Sequence, residues 1–287
     1  MRNVIITGAN SGLGFEAARK IAAHEDYRLV LACRNAEKAE AAVAQIVSET
    51  GNKNVTTITL DTASLDSVRA AADAYKDAGF GPIYALLLNA GISGMHEGTT
   101  VDGMDIVFET NHLGHFLLAN LLLDQMDEQG KVISTTSDMH DSPMGKMVWP
   151  GTEALAYADG SKVNLRMRYS YSKLANIYFI HELARRLEEQ GSSVSANAFN
   201  PGMMQTNFAK TNRAHVAMVK HTMPHRLGDL EKSSDALAEL VLDDTLATTS
   251  ANYYDRSTTA VPSSELSYND ENARELWEAS ERLCGLP

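Results

Sequence analysis

The sequence predicts an α/β protein built on a doubly wound parallel sheet with helices on both faces. Short, continuous apolar runs alternate with longer segments of helical period along most of the chain. Strands that are buried on both faces of a parallel sheet read as continuous apolar runs, because neither face meets water. Repeated βαβ alternation then requires helices packed on the two sides of that sheet.

The individual elements follow from these two periodicities. The predicted strands are NVIIT from residue 3, RLVLAC from 28, VTTITL from 55, IYALLL from 83, KVISTT from 131 and SVSANAF from 193. Amphipathic helices are predicted between them, at 15–24, 36–49 and 65–78. No linker rich in Pro, Gly or Ser divides the chain, so we expect a single domain over residues 1–287.

Composition and charge limit the class of protein. The 287 residues are 44% apolar and 22% charged, which excludes a disordered or collagen-like chain. No run reaches the about 20 apolar residues that a membrane helix needs. The formal net charge of -12 disfavours nucleic acid as a partner, because phosphates are bound by clustered Lys and Arg.

The start of the chain and its cysteines predict a cytoplasmic location. The first strand begins at residue 3, which leaves no room for a secretory signal. Cys33 and Cys284 are far apart in the sequence, so a disulfide framework has no support.

A glycine-rich turn, TGANSGLG at 7–14, joins the first predicted strand to the first helix. The free N–H groups and positive dipole end of a helix attract a pyrophosphate, and Gly8, Gly12 and Gly14 would let the backbone approach it closely. This position predicts a Rossmann-type dinucleotide site. The spacing differs from the GxGxxG fingerprint, so a simple tight turn is the alternative.

The residues after the second strand, ACRN, indicate which dinucleotide binds. An acidic residue here would accept hydrogen bonds from the ribose of NAD, whereas a cation would pair with the extra phosphate of NADP. The guanidinium of Arg34 can bind a phosphate through two parallel hydrogen bonds, which favours NADP(H). Arg34 as an ordinary surface charge is the alternative.

The stretch YSYSK at 169–173 offers two tyrosines to one lysine. On a helix, positions i and i+4 share a face while i and i+2 diverge by about 200°. Tyr169 should therefore lie over Lys173, and Tyr171 should point away. We expect the ammonium of Lys173 to lower the pKa of the Tyr169 phenol and prepare it for proton transfer.

Two pairs of histidines have helical spacing that could place two imidazoles on one face. They are His112 with His115 and His221 with His225. No third ligand follows in a recognisable pattern, so we expect no metal site.

These motifs together resemble the short-chain dehydrogenase/reductase superfamily over nearly the whole chain. The family's motifs occur here in the family's order. They are TGxxxGxG at 7–14, NNAG as LNAG at 88–91, the helix asparagine at Asn111, the serine after the fifth strand at Ser137, YxxxK at Tyr169 and Lys173, and PG within NPGMMQT at 200–206.

The resemblance implies a catalytic set of Asn111, Ser137, Tyr169 and Lys173. Tyr169 would donate a proton to a substrate carbonyl oxygen, and Ser137 would hydrogen-bond the same oxygen. Lys173 would hold the nicotinamide ribose, and Asn111 would anchor a water relay that returns a proton to Lys173. Ser137 as a strand-end hydroxyl bonded to backbone, and Tyr171 as the acid, are alternatives.

The resemblance also implies a set of cofactor contacts. Asp61 would hold the adenine amino group, unless it caps the helix near Ser64, and Thr206 would contact the carboxamide. The expected cofactor-binding residues are Gly8, Asn10, Ser11, Gly12, Leu13, Gly14, Arg34, Asp61, Thr62, Asn89, Ala90, Gly91, Tyr169, Lys173, Pro201, Gly202 and Thr206.

Within the superfamily, ACRN, NHLGHFLL, YSKLAN and the C-terminal NDENARELWEASERLCGL resemble the retinol dehydrogenase and protochlorophyllide reductase branch. This resemblance implies an NADPH-dependent carbonyl reductase or alcohol dehydrogenase for a bulky apolar substrate. An NADP(H)-sensing regulatory protein without turnover is one alternative. A double-bond reductase like protochlorophyllide reductase is another, although the cysteine that this family carries after the helix asparagine is missing here.

Two irregular segments, near 138–164 and 203–228, interrupt the alternation of strands and helices. We expect them to be substrate-loop insertions in the NAD(P)-binding domain. Eight of the 12 methionines fall at 139–167 or 203–223, which predicts adaptable apolar walls around the substrate. Family members often pair through the helices that carry Asn111 and Tyr169, so the resemblance also allows a homo-oligomer.

Overall fold

The computed structural model describes residues 1–160, 163–203, 221, 223 and 226–287. Eight strands of this described part form one sheet. They are β1 Arg2–Thr7, β2 Tyr27–Cys33, β3 Val55–Thr59, β4 Ile83–Leu88, β5 Met126–Thr135, β6 Ser195–Asn200, β7 Tyr253–Asp255 and β8 Ala260–Val261. Their order across the sheet is β3-β2-β1-β4-β5-β6-β7-β8.

Helices flank the sheet. The α-helices among the described residues are α1 Gly12–Ala22, α2 Ala36–Thr50, α3 Leu65–Asp77, α4 Ile106–Phe108, α5 Gly114–Leu122, α6 Thr152–Ala156, α7 Arg168–Glu189, α8 Leu230–Leu242 and α9 Asp270–Cys284. A π-helical segment, Glu109–Leu113, joins α4 to α5. Short 3₁₀ turns occur at Leu123–Gln125, Asp138–His140, Leu165–Met167 and Glu265–Tyr268.

The predicted fold class is confirmed, because β1 to β7 run parallel and helices cover both faces of the sheet. Only β8 is antiparallel, pairing with β7. The strand order reverses between β1 and β4. In an open parallel sheet, the crevice at the carboxyl ends of the strands flanking such a reversal is where ligands bind.

The six predicted strands correspond to β1 to β6, whereas β7 and β8 were not predicted. β7 spans three residues and β8 two, so neither produces an apolar run long enough to recognise. The first helix begins at Gly12 rather than at residue 15. Its first turn therefore lies within the glycine-rich segment and turns free N–H groups toward the strand ends.

Capping residues explain where several helices start and stop. The Asn35 side chain accepts a hydrogen bond from the Lys38 N–H at 2.8 Å and begins α2. The Ser64 side chain accepts one from the Ser67 N–H at 3.3 Å and begins α3. α2 ends at Gly51, whose φ of 78° lies in the left-handed region that favours glycine.

The hydrophobic core consists of two layers separated by the sheet. Side chains of successive strand residues point to opposite faces, so Val4 and Ile6 pack with α1, α2 and α8, while Ile5 packs on the other side. That other side is formed by α3, α5, α7 and α9. Both faces of β1 are therefore buried, as a doubly wound sheet requires.

The C-terminal helix α9 covers α5 and α7. The Trp277 ring packs edge-on to Phe116, with 4.9 Å between centroids, and stacks on Phe179 at 5.9 Å. The Ser280 hydroxyl lies 3.1 Å from Nε2 of His112. Helix α9 thus covers part of the surface that two copies of the chain would use if they paired as members of the resembled family often do.

Among the helices that the structure describes, none is long and apolar enough to cross a bilayer.

Candidate active site

The glycine-rich turn is held at the ends of β1 and β4 by Thr7. The Thr7 hydroxyl oxygen accepts hydrogen bonds from the backbone N–H groups of Asn89 and Ala90, both at 2.8 Å. The Asn89 amide donates to the Thr7 carbonyl at 2.9 Å. These bonds fix the LNAG segment beside the turn. Leu88, which stands where the family has asparagine, is a fully buried residue of β4.

Two glycines are required where these segments touch. A Cβ on Gly8, whose φ is +68°, would lie 3.0 Å from the Ala90 Cα. A Cβ on Gly14 would lie 2.5 Å from the Asn89 amide nitrogen and 3.0 Å from the Gly8 carbonyl oxygen. Gly8 and Gly14 thus let the LNAG segment pack directly against the turn. The turn and the start of α1, whose first N–H groups are free to bind a pyrophosphate, form a glycine cradle.

Arg34 immediately follows β2, next to this cradle. Thr7 and Ala32 are partners in the β1–β2 register, and the Gly8 N–H donates to the Ala32 carbonyl at 2.8 Å. Arg34 is exposed and forms no ion pair with any residue in the described part of the chain. Its guanidinium is therefore available to a phosphate beside the turn.

Asp61 lies in the turn after β3. One of its carboxylate oxygens accepts a hydrogen bond from the Ala63 N–H at 3.0 Å. The cap of α3 is Ser64 rather than Asp61. Gly114 packs beneath this turn so tightly that an added Cβ would overlap the Thr62 carbonyl oxygen.

Asn111 lies in the π-helical segment and is fully buried. Its side-chain oxygen accepts from the Ile92 N–H at 2.8 Å, and its amide donates to the Ile92 carbonyl and to the Ser172 hydroxyl, each at 3.0 Å. Asn111 thus holds the loop after β4 against α7. The water relay expected at this residue stays a prediction.

Ser137 lies just beyond β5 and meets the phenol of Tyr169. The Ser137 side chain is a hydrogen-bonding neighbour of the Tyr169 phenol and lowers its pKa. Oγ of Ser137 also accepts from the Met139 N–H at 3.2 Å. The backbone bond proposed as an alternative for Ser137 therefore coexists with the contact to Tyr169.

Lys173 lies one helical turn after Tyr169, as the i and i+4 spacing predicts. Its ammonium lies 5.8 Å from the Tyr169 ring centroid and donates to the Thr135 carbonyl at 2.9 Å. Burial lowers the pKa of Lys173 to about 8. Tyr171 points elsewhere, with its ring 6.5 Å from that of Trp149.

The predicted effect of Lys173 on Tyr169 is wrong for this geometry. Burial raises the pKa of Tyr169 above its ordinary value, and the negative charge of Asp138 raises it further, while the bond to Ser137 opposes them. The ammonium is turned toward Thr135 and does not offset the loss of hydration. The phenol therefore keeps its proton at neutral pH.

The segment after β6 carries the Pro201–Gly202 pair. Gly202 has a φ of +73°, and a Cβ there would lie 2.8 Å from the Gly228 Cα. The Ser233 hydroxyl of α8 donates to the Pro201 carbonyl at 2.8 Å. These contacts place the pair at the carboxyl end of the sheet. Thr206 lies outside the described residues, as does most of the predicted loop at 203–228.

The buried histidines have structural partners. The Asn111 carbonyl, 3.3 Å from Nδ1 of His115, can only accept a hydrogen bond, so Nε2 of this ring accepts one from the Thr7 hydroxyl at 2.9 Å. His112 packs between Phe108 and Phe116. Within the described ranges, no three groups are arranged to hold a metal ion. His225 lies outside those ranges.

Sequence reasoning missed three residues that shape this site. Gly94 faces Tyr169, where an added Cβ would lie 2.9 Å from the tyrosine Cβ. Ser172 bridges Asn111 to the Tyr169 carbonyl, to which it donates at 2.8 Å. His140 is bonded to the Ser137 carbonyl. The sequence signal for Ser172 was its place inside YSYSK; the other two carry no motif of their own.

A glycine cradle at the switch point of a parallel sheet, with a tyrosine, a serine and a lysine together at the neighbouring strand ends, defines a dinucleotide-dependent oxidoreductase. The chain matches the model of the short chain dehydrogenase family over residues 2–150. It is also 36% identical to human Retinol dehydrogenase 13 over 299 aligned positions, covering 99% of this chain and 85% of that protein. The chain therefore belongs to the short-chain dehydrogenase family.

Solved structures agree with this assignment. A crystal structure of a protein from Mycobacterium Paratuberculosis is 32% identical, with a TM-score of 0.74, and the match covers 100% of this chain and 94% of that one. A short chain dehydrogenase from Burkholderia cenocepacia J2315 in complex with NADP has a TM-score of 0.68 at 23% identity, covering 90% and 97% of the two chains. At that identity, the second likeness shows the fold alone.

Proposed function

We propose that this protein is an NADPH-dependent oxidoreductase that reduces a carbonyl group on a bulky apolar substrate, or oxidises the matching alcohol. The observation that carries the proposal is that the Tyr169 phenol has the Ser137 side chain as a neighbour and the Lys173 ammonium beside its ring, at the strand ends next to the glycine cradle. A substrate oxygen placed between the two hydroxyls would be held and protonated from the same side.

The residues present fit a dinucleotide. The free N–H groups at the start of α1 would bind the pyrophosphate, and Arg34 would pair with the extra phosphate of NADPH. Gly91 lies between Asn111 and Lys173, where a Cβ would come 3.1 Å from the Asn111 oxygen and 3.7 Å from the Lys173 ammonium. Lys173 would hold the nicotinamide ribose. Reduced nicotinamide would supply the hydride.

Tyr169 would act as the general acid. In reduction, negative charge grows on the carbonyl oxygen, and the group beside it must carry a proton at working pH. The phenol of Tyr169 is protonated at neutral pH, as a proton donor must be. Ser137 would fix the position of the oxygen, and Lys173 would stabilise the tyrosinate left after transfer.

The relatives support an apolar substrate. The name of human Retinol dehydrogenase 13 specifies retinol, a bulky apolar alcohol. Met139 and Met167 lie in the segment between Ser137 and Tyr169, which supports an adaptable apolar wall near the acid.

We also propose that one domain carries both the cofactor and the substrate sites, and that the protein is cytoplasmic. A single continuous sheet joins the cofactor half to β7 and β8 in the described part of the chain. Both cysteines are buried as free thiols, which suits a reducing compartment. Cell fractionation tests the location.

Turnover tests the proposed activity directly. The purified protein is titrated with NADPH, followed by fluorescence, and then assayed for NADPH consumption with decanal, menadione, a steroid ketone and retinal. Retinol with NADP⁺ tests the reverse direction. We expect binding together with oxidation of NADPH by at least one apolar carbonyl. Stoichiometric binding with no turnover across the panel would instead favour the regulatory protein.

A further inference from the structure

His140 connects the backbone of Ser137 to the C-terminal part of the chain. It ends the 3₁₀ turn that follows Ser137 and is only 5% exposed, with Tyr253 packed 5.1 Å away between ring centroids. Its Nδ1 lies 2.7 Å from the Ser137 carbonyl oxygen. Its Nε2 lies 2.9 Å from the Ser264 backbone nitrogen.

These two partners determine the tautomer of the ring. A backbone N–H can only donate, so Nε2 of His140 must accept from Ser264 and carry no proton. A carbonyl can only accept, so Nδ1 must donate to Ser137. Burial lowers the pKa of His140, which agrees with a neutral ring. The imidazole is therefore a rigid strut with one donor end and one acceptor end.

The far end of this strut is anchored on α7. The Ser267 hydroxyl donates to the Ser264 carbonyl at 2.6 Å, and the Ser267 carbonyl lies 3.0 Å from Nδ1 of His181. The Tyr178 hydroxyl donates to the Leu266 carbonyl at 2.8 Å. Because α7 also carries Tyr169 and Lys173, the strut ties Ser137 to the helix that bears the acid.

We propose that His140 is a positioning residue for Ser137. It holds the Ser137 backbone so that the hydroxyl stays in bonding range of the Tyr169 phenol, and it acts only through Ser137. This inference rests on the proposed function, because it concerns how that site keeps its geometry. A displacement of about 1 Å at such a site can lower the rate about 100-fold.

Two substitutions separate the ends of the strut. In His140→Asn, the side-chain amide can occupy the place of Nδ1 and still donate to Ser137. In His140→Gln, the side-chain oxygen can occupy the place of Nε2 and accept from Ser264, but the side-chain donor to the Ser137 carbonyl is lost, and only the backbone N–H of residue 140 still donates to it. With retinal or decanal, we expect His140→Gln to lower kcat about 10-fold or more, with little change in NADPH affinity. His140→Asn should retain most of kcat.

A double-mutant cycle with Ser137→Ala tests whether His140 acts through Ser137. If it does, His140→Gln should lower kcat much less in the Ser137→Ala background than in the wild type. Equal, multiplying losses in the two backgrounds would overturn the inference, as would a normal kcat in His140→Gln. If Ser137→Ala alone retains full turnover, the proposed function fails at Ser137 itself, which is a different result.

The tautomer gives a readout that requires no substrate. Two-bond ¹H–¹⁵N spectra of protein labelled at histidine distinguish the two neutral forms, and the His140 signals are assigned by their loss in His140→Gln. We expect a neutral ring with the proton on Nδ1 at pH 7. A proton on Nε2, or a doubly protonated ring, would overturn the inference.

Discussion

Burial moves the pKa values of Tyr169 and Lys173 in opposite directions, and both shifts favour the uncharged forms. The tyrosinate of Tyr169 binds a proton more tightly than usual, and the amine of Lys173 binds one less tightly. At neutral pH the site therefore holds a protonated tyrosine beside a lysine that is close to titration. Proton donation by this phenol therefore requires groups that stabilise the tyrosinate as the proton leaves.

The pH dependence of the cofactor step should follow Lys173. Its ammonium is charged below about pH 8 and neutral above it, because burial lowers its pKa to about 8. We expect kcat/KM for NADPH, which reports the free enzyme, to fall as the pH rises through this value. Tyr169 does not cause this fall, since its pKa is raised.

Two arginine substitutions identify the group. In Lys173→Arg the side chain stays charged, so the fall near pH 8 should disappear even where overall activity drops. Lys131 is the matched control, because burial also lowers its pKa to about 8 while its ammonium bonds the Leu240 and Asp243 carbonyls far from the cradle. If the fall in kcat/KM vanished in Lys131→Arg and persisted in Lys173→Arg, the titrating group would be Lys131 and the account would be wrong.

Arg34 should determine the preference for NADPH. Arg34→Ala removes the charge that would pair with the extra phosphate, so we expect NADPH affinity to fall about 10-fold or more while NADH affinity changes little. The ratio of the two dissociation constants is the measurement. Lys232→Ala, which removes an exposed cation on α8, is the control. A ratio in Arg34→Ala equal to that of the control would contradict the phosphate contact.

At this scale the sequence predicted which residues lie together better than it predicted their electrostatics. The Tyr169–Lys173 spacing is a local property of one helix, so it could be read from YSYSK. The pKa of Tyr169 depends on burial and on Asp138, which only the packed chain brings together. The hydrogen bond between His140 and Ser264 joins positions 124 residues apart, so no local sequence pattern predicts it.

At the scale of elements, the π-helical segment and the glycine after it position the loop after β4 and the turn after β3. The π segment carries Asn111 toward the loop after β4, and Gly114 then lets α5 pass directly beneath the Thr62 carbonyl. Extra residues of this kind in a helix occur often at functional sites. The helix periodicity of the sequence does not show the π segment, because one widened turn leaves the apolar pattern almost unchanged.

Gly114→Ala should destabilise this junction. The added methyl group would overlap the Thr62 carbonyl oxygen, so α5 or the turn must move, and overpacking of this kind costs about 1–3 kcal/mol. Urea unfolding measures the change. Gly160→Ala is the control, because the nearest atom to its Cβ would be 3.8 Å away. An equal free energy of unfolding in the two variants would show that the junction accommodates the methyl group without loss of stability.

At the scale of the whole molecule, the C-terminal helix completes the core that the N-terminal half begins. The family match covers residues 2–150, yet Trp277 of α9 packs on both Phe116 and Phe179 in the core. The sequence predicted the sheet up to β6, since those strands are continuous apolar runs. It did not predict where α9 docks, because an amphipathic helix can pack on either face of the sheet.

Trp277→Ala should therefore weaken the whole fold. Removing a buried tryptophan typically costs about 3–5 kcal/mol, and here it would also uncover Phe116 and Phe179. We expect a lower urea midpoint and concentration-dependent sedimentation. Trp149→Ala, at a half-buried ring beside α9, should cost less. Unfolding at the wild-type midpoint would contradict the role assigned to this helix.

The central claim is that the phenol of Tyr169 delivers the proton during hydride transfer. The most direct measurement compares single-turnover oxidation of NADPH in Tyr169→Phe and Tyr171→Phe with an apolar carbonyl that the wild type reduces. We expect Tyr169→Phe to lose at least 100-fold in rate while still binding NADPH, and Tyr171→Phe to keep most of its rate. Loss of turnover in Tyr171→Phe alone would contradict the account.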